Sequence, residues 1–84
     1  MKAIRILLAD DHKVVRQGTR ALLSAIPEWE IVGEADNGRD AVSLTAELKP
    51  DIVILDISMP ELNGLDATRQ IKKKSPETEV LIFT

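Results

Sequence analysis

Four short apolar runs recur along the chain, separated by segments in which apolar residues have helical spacing. Residues 4–9 are apolar except for Arg5, and residues 52–55 are wholly apolar, which is typical of strands buried on both faces of a sheet. Residues 30–35 are more polar, as an edge strand can be, and residues 80–84 form the fourth run. The pattern therefore predicts four β-strands.

The three intervening segments predict α-helices. The first begins at Lys13, ends before Pro27, and carries the repeat Val14, Val15, Gly18, Leu22, Ala25 and Ile26. The second ends at Pro50 and carries the stripe Ala41, Leu44, Thr45 and Leu48. The third begins at Asn63-Gly64 and ends at Ser75-Pro76. We expect its side chains Leu65, Thr68 and Ile71 to face the core.

The alternation of strands and helices fixes the expected fold class. An order of β-α-β-α-β-α-β implies a parallel sheet joined by right-handed crossovers. With the polar second strand at the edge, the first and third strands become neighbours. We therefore predict an α/β, flavodoxin-like, doubly wound parallel sheet with strand order 2-1-3-4.

Composition narrows the class of protein. The chain has 84 residues, 44% hydrophobic and 30% charged, with a net charge of −3, so we expect one globular domain without a nucleic-acid-binding surface. It has no cysteine, which excludes disulfides and cysteine-based metal sites. We find no signal peptide and no apolar stretch approaching ~18 residues, so we expect a cytoplasmic protein that does not enter the membrane.

Carboxylates follow two strands that should be neighbours. Asp10 and Asp11 come after the first strand and Asp56 after the third, so all three are expected in one crevice at the carboxyl edge of the sheet. Two carboxylates ~4 Å apart repel by roughly 4 kcal/mol at an effective dielectric of 20, which a hard divalent cation such as Mg²⁺ would relieve. Asp56 alone could equally end a strand and cap a turn, and Thr84 could be an ordinary strand residue.

Four segments together resemble a known family. They are Ile6-Leu7-Leu8-Ala9-Asp10-Asp11-His12, Ile54-Leu55-Asp56-Ile57-Ser58-Met59-Pro60, Asn63-Gly64, and Phe83-Thr84. In this order they look like the receiver domain of bacterial two-component response regulators. The Asp-Asp-His start and the Val-Arg-Gln-Gly helix look most like the subclass with a C-terminal helix-turn-helix DNA-binding domain.

The resemblance implies a role for each matching residue. Asp56 matches the aspartate that accepts a phosphoryl group from a sensor histidine kinase, with Mg²⁺ as cofactor. Asp11 matches the direct metal ligand, Asp10 an acid that binds the metal partly through water, and Ser58 a backbone carbonyl ligand. Thr84 matches the switch hydroxyl that moves toward the phosphate. His12 lies beside the site, where we expect helix-start packing rather than metal binding.

The resemblance also implies that residues 1–84 form a single incomplete receiver domain. The family's fifth strand, with its phosphate-binding lysine, and its last helices have no counterpart here, and Lys72, Lys73 and Lys74 do not match that lysine. DNA would be bound only through a C-terminal domain outside this chain. We expect the fragment to be a dimer or swapped oligomer, because its fourth strand would leave an apolar edge unpaired.

Two other functions remain open at this stage. An aspartyl-phosphate phosphatase of the haloacid dehalogenase type also uses an aspartate at a strand end, but it needs an acid two residues later, where this chain has Ser58. A protein-interaction module that has lost phosphorylation would not need the three acids. We expect no enzyme activity beyond self-phosphorylation and dephosphorylation at Asp56.

Overall fold

The chain forms seven elements in the predicted order. The computed structural model describes residues 3–57, 59 and 61–83. In chain order, the elements are β1 (Ile4–Ala9), α1 (Lys13–Ser24), β2 (Trp29–Ala35), α2 (Gly38–Leu48), β3 (Ile52–Asp56), α3 (Gly64–Lys74) and β4 (Glu79–Phe83). Within the described ranges, no helix has the length and apolar character needed to cross a membrane.

The strands form one parallel sheet in the order β2-β1-β3-β4, which confirms the predicted flavodoxin-like fold. The chain moves one way from β1 to β2 and the opposite way from β2 to β3 and β4. Because parallel crossovers are right-handed, this reversal places α1 on one face of the sheet and α2 and α3 on the other.

The face that carries α2 and α3 holds the main core. Its buried members come from β1, β2, β3, both helices and the loop before α3: Leu7, Ala9, Ala35, Ala41, Val42, Val53, Leu55, Met59, Ala67 and Ile71. Alternate residues of a strand point to opposite faces, so the odd-numbered core residues of β1 and β3 lie on the same side. In α2, Ala41 and Thr45 of the predicted stripe are buried, whereas in α3 only Ile71 of the three predicted residues is fully buried, beside Gly64 and Ala67.

The face that carries α1 departs from the sequence prediction. No residue of α1 is buried, and Val14 and Leu22 are 81% and 75% exposed. Leu65, which we expected to turn inward from α3, is also exposed. Helical periodicity correctly identified both helices, but it could not show whether each apolar stripe has a partner to pack against.

The helix starts follow the predicted turn chemistry in two cases. Asn37 caps α2 by accepting a hydrogen bond from the Asp40 N–H, and Asn63 caps α3 in the same way from the Asp66 N–H. Such caps satisfy backbone donors that the first helical turn leaves unpaired. His12 occupies the corresponding position of α1, but its side chain makes no capping hydrogen bond.

Candidate metal centre

The ends of β1 and β3 bring the acidic residues together. Ala9 pairs with Leu55 in the parallel register, so Asp10 and Asp56 follow at the same level of the sheet. Both are buried, and Asp11 and His12 lie beside them. One ligand atom from each of these four residues lies within 4.8 Å of the other three. The predicted meeting of Asp10, Asp11 and Asp56 is thus observed.

Asp10 is held by its backbone as well as by its side chain. Its N–H donates to the Ala35 carbonyl of β2 at 3.0 Å, and its carboxylate accepts the His12 N–H at 2.8 Å. Its carbonyl accepts a hydrogen bond from Arg16 Nη1 at 2.5 Å. These contacts fix the chain direction where β1 ends, so the buried carboxylate has little freedom to move.

Arg16 connects the site to the edge strand. Besides contacting the Asp10 carbonyl, its Nε donates to Glu34 Oε1 at 3.0 Å, and Arg20 pairs with the other oxygen of Glu34. The network therefore joins α1, β2 and the end of β1. Sequence reasoning missed it, although an arginine one turn after the acids and a glutamate on the neighbouring strand were available as signals.

The backbone around Asp56 is held in place by hydrogen bonds of the next residue and by the close approach of a glycine. The following Ile57 donates its N–H to the Phe83 carbonyl and accepts the Gly64 N–H, both at 3.0 Å. A Cβ on Gly64 would lie 2.8 Å from the Asp56 carbonyl oxygen. Because no other residue avoids that clash, Gly64 allows α3 to begin directly against the backbone of Asp56.

His12 directs its ring toward the acids rather than toward the helix. Its Nδ1 atom lies 3.0 Å from Asp11 Oδ1, 3.3 Å from Asp10 Oδ1 and 3.8 Å from Asp56 Oδ2. The ring is 64% exposed, so the expected packing at the helix start is not its main environment.

The donor set suits a divalent cation. Three carboxylates supply the oxygen ligands that Mg²⁺ prefers, and Mg²⁺ sites in proteins use one or two carboxylates together with water and phosphate oxygens. Gathering three acids at a partly buried edge also calls for a positive counter-charge. Ser58 and Thr84, the other two candidate site residues, lie outside the described residues.

Comparison with known proteins identifies the family to which this chain belongs. Residues 6–84 match the family described as the response regulator receiver domain. The transcriptional regulatory protein YdfI of Bacillus subtilis (strain 168) is 46% identical over 80 residues, which cover 95% of this chain and 37% of YdfI. The chain thus spans little more than a third of this curated relative.

Solved structures agree with the sequence matches. A two-component response regulator of the LuxR family from Aurantimonas sp. SI85-9A1 superposes with a TM-score of 0.93 at 40% identity, covering 99% of this chain and 59% of that one. The response regulator domain of Thermotoga maritima CheB gives a TM-score of 0.92 at 38% identity, covering 96% of this chain and 60% of that one.

Proposed function

Because this chain belongs to the response regulator receiver domain family, we propose that it accepts a phosphoryl group on Asp56 from a sensor histidine kinase, with Mg²⁺ as cofactor. The observation that carries the proposal is the convergence of the Asp10, Asp11 and Asp56 carboxylates at one edge of the sheet. On this account residues 1–84 belong to a single receiver domain.

Each acid has a separate task in the proposed reaction. Asp11 and Asp56 would bind Mg²⁺ directly, Asp10 would bind it partly through water, and Ser58 would contribute its backbone carbonyl. Bound there, Mg²⁺ would neutralise the phosphoryl oxygens and align them for transfer. A carboxylate oxygen of Asp56 attacks phosphorus, the phosphorus–nitrogen bond to the kinase imidazole breaks, and an acyl phosphate forms. The released imidazole nitrogen takes up a proton from solvent.

Phosphorylation changes the charge at a site that the fold holds rigidly. A phosphoryl group adds roughly −1.5 to −2 charges at neutral pH. We propose that the Thr84 hydroxyl moves to donate a hydrogen bond to it and so converts the charge into a change of conformation. Backbone hydrogen bonds at Asp10 and at Ile57, the residue after Asp56, support the proposal that the acceptor itself stays in place.

The relatives suggest the larger protein in which the domain works. YdfI is named a transcriptional regulatory protein, and this chain covers 37% of its length. We propose that this chain likewise serves a cytoplasmic transcriptional regulator, that DNA is bound by a C-terminal domain outside it, and that no enzyme activity exists beyond the chemistry at Asp56.

The fourth strand supports a proposal about the 84-residue chain prepared on its own. Within the described sheet, β4 is an edge strand, and its Leu81 and Ile82 are exposed. Unpaired apolar edges bind other strands. We propose that the isolated chain forms a dimer or swapped oligomer through β4. Size exclusion with light scattering should give a mass above that of one chain, and a monomer at micromolar concentration would contradict the proposal.

Metal binding can be tested directly by isothermal titration. Asp11→Asn should weaken Mg²⁺ or Mn²⁺ binding sharply, and Asp10→Asn should weaken it less, because Asp10 is assigned the partly water-mediated role. If the double variant binds these ions as well as the parent chain, the metal lies elsewhere.

Phosphorylation can be tested with acetyl phosphate as a small donor. Intact mass spectrometry should show one added phosphoryl group in the presence of Mg²⁺, none with EDTA, and loss of the group after hydroxylamine treatment. Asp56→Asn is the matched control because it preserves shape and removes the nucleophile. Labelling that persists in this variant would overturn the assignment.

A further inference from the structure

One nitrogen ligand lies among the oxygen ligands of the candidate metal centre. His12 Nδ1 is 3.0, 3.3 and 3.8 Å from carboxylate oxygens of Asp11, Asp10 and Asp56. We propose that His12 binds the metal through Nδ1 and shifts the preference of the site from Mg²⁺ toward first-row transition-metal cations that favour imidazole, such as Ni²⁺ and Cu²⁺. This inference rests on the proposed function, because it concerns the same metal.

The separations suit one coordination shell. Two ligand atoms about 2.1 Å from one cation lie roughly 3.0 Å apart at a right angle and about 4.2 Å apart when opposite. The three distances from His12 Nδ1 fall within that range. All four ligand atoms lie within 4.8 Å of one another, so the side chains must draw together for one cation to contact the imidazole and the carboxylates.

The chemical type of the ligand atom determines which cations bind more tightly to the site. Imidazole nitrogen suits Ni²⁺, Cu²⁺ and Zn²⁺, whereas Mg²⁺ and Mn²⁺ prefer oxygen ligands. The sequence contains a single histidine and no cysteine, so His12 is the one imidazole ligand that it can offer. Any histidine nitrogen detected on a bound metal must therefore come from this position.

The local backbone keeps the ring available for this task. His12 donates its N–H to Asp10 Oδ1 at 2.8 Å, which ties the residue to the cluster. Its side chain is not used to cap α1. A competing explanation is that Nδ1–H only donates to the carboxylates and that the exposed ring swings away when a cation arrives. The two explanations predict opposite effects of removing the imidazole.

The experiment uses the untagged 84-residue chain loaded with Cu²⁺ and pulsed electron paramagnetic resonance. The parent should show nitrogen modulation from a bound imidazole, and His12→Ala should abolish it. In isothermal titration, His12→Ala should lower Ni²⁺ affinity by about tenfold or more and change Mg²⁺ affinity by less than about threefold. His12→Asn is the second variant, because asparagine can cap α1 and thus protects the fold.

Each alternative result overturns the inference. It fails if the parent shows no nitrogen modulation, if Ni²⁺ affinity is unchanged in both variants, or if Ni²⁺ and Mg²⁺ affinities fall equally. Mg²⁺-dependent phosphorylation of Asp56 without a nitrogen signal would retain the proposed function and reject His12 as a ligand. A parent chain that binds no divalent cation would reject both.

Discussion

The two faces of the sheet use similar apolar helices to very different extents. On one face, α2 and α3 bury residues in the core cluster that they share with β1, β2 and β3, whereas on the other, α1 has no buried residue. Both faces derive from the same kind of sequence pattern. The difference in burial between the two faces shows that an amphipathic helix contributes to stability only when its apolar stripe packs against a complementary surface.

The largest predicted contrast comes from truncating one apolar side chain on each face. Ile71→Ala on α3 should lower the free energy of unfolding by about 2–5 kcal/mol, because it leaves a cavity in a packed core. Leu22→Ala on α1 should change it by less than about 0.5 kcal/mol, because Leu22 is exposed.

Urea denaturation at one fixed protein concentration measures both values, since self-association would otherwise alter the apparent stability. A cost above about 1 kcal/mol for Leu22→Ala would contradict the comparison, because it would mean that the α1 face is covered in solution.

Two glycines give a second contrast. A Cβ on Gly38 would lie 1.7 Å from the Leu62 carbonyl oxygen, whereas one on Gly18 in α1 would meet nothing within 4 Å. Gly38→Ala should therefore cost about 1–3 kcal/mol through overpacking. Gly18→Ala should stabilise the chain by up to about 1 kcal/mol, because alanine has the higher helix propensity. Thermal melts of the two variants check this order of stabilities. If α1 were the packed helix, Gly18→Ala would be the more destabilising variant.

The arginines of α1 give this helix a role in holding the metal centre, through the hydrogen bond from Arg16 to the Asp10 carbonyl. Arg16→Met should cost about 1–3 kcal/mol, because the Asp10 carbonyl loses its side-chain donor. It should also lower Mn²⁺ affinity by about tenfold, as loss of a group supporting metal ligands commonly does. Arg20→Met is the control, with a cost below about 1 kcal/mol for an exposed ion pair. Equal effects of both variants on Mn²⁺ binding would remove Arg16 from the positioning network.

The smallest contrast concerns the helix starts. Asn63→Ala removes the side-chain acceptor of the Asp66 N–H and should cost about 1 kcal/mol. His12→Ala removes no capping bond from α1, so in metal-free buffer it should cost less than Asn63→Ala. Denaturation in EDTA checks the order, and a larger cost for His12→Ala would show that its contacts with the acids hold the domain together.

The sequence predicted the order of strands and helices well because the local sequence signals for strand ends and helix starts agree with the observed fold. Apolar runs ended by Asp10 and Asp56 located the strand ends, and Asn37 and Asn63 marked two helix starts. Parallel topology then brought the acids together. The exposure of Leu22 was not predictable, because periodicity reports the existence of a stripe and not its partner.

Side-chain contacts across elements were also beyond the sequence pattern. The bond from Arg16 to the Asp10 carbonyl depends on how α1 is set against the end of β1. The approach of the His12 ring to three carboxylates depends on the turn between them. The contacts of His12 with Asp10 and Asp11 are local to that turn, whereas its approach to Asp56 is a tertiary detail that spacing along the chain does not encode.

The central claim is that the carboxyl edge of the sheet presents Asp56 as the phosphoryl acceptor. The most direct measurement is to treat the phosphorylated chain with borohydride, which reduces an acyl phosphate to an alcohol, and to locate the altered residue by peptide mass spectrometry. The account predicts reduction at position 56 alone, and only after incubation with Mg²⁺. Reduction at another carboxylate, or at Asp56 to the same extent without a divalent cation, would contradict it.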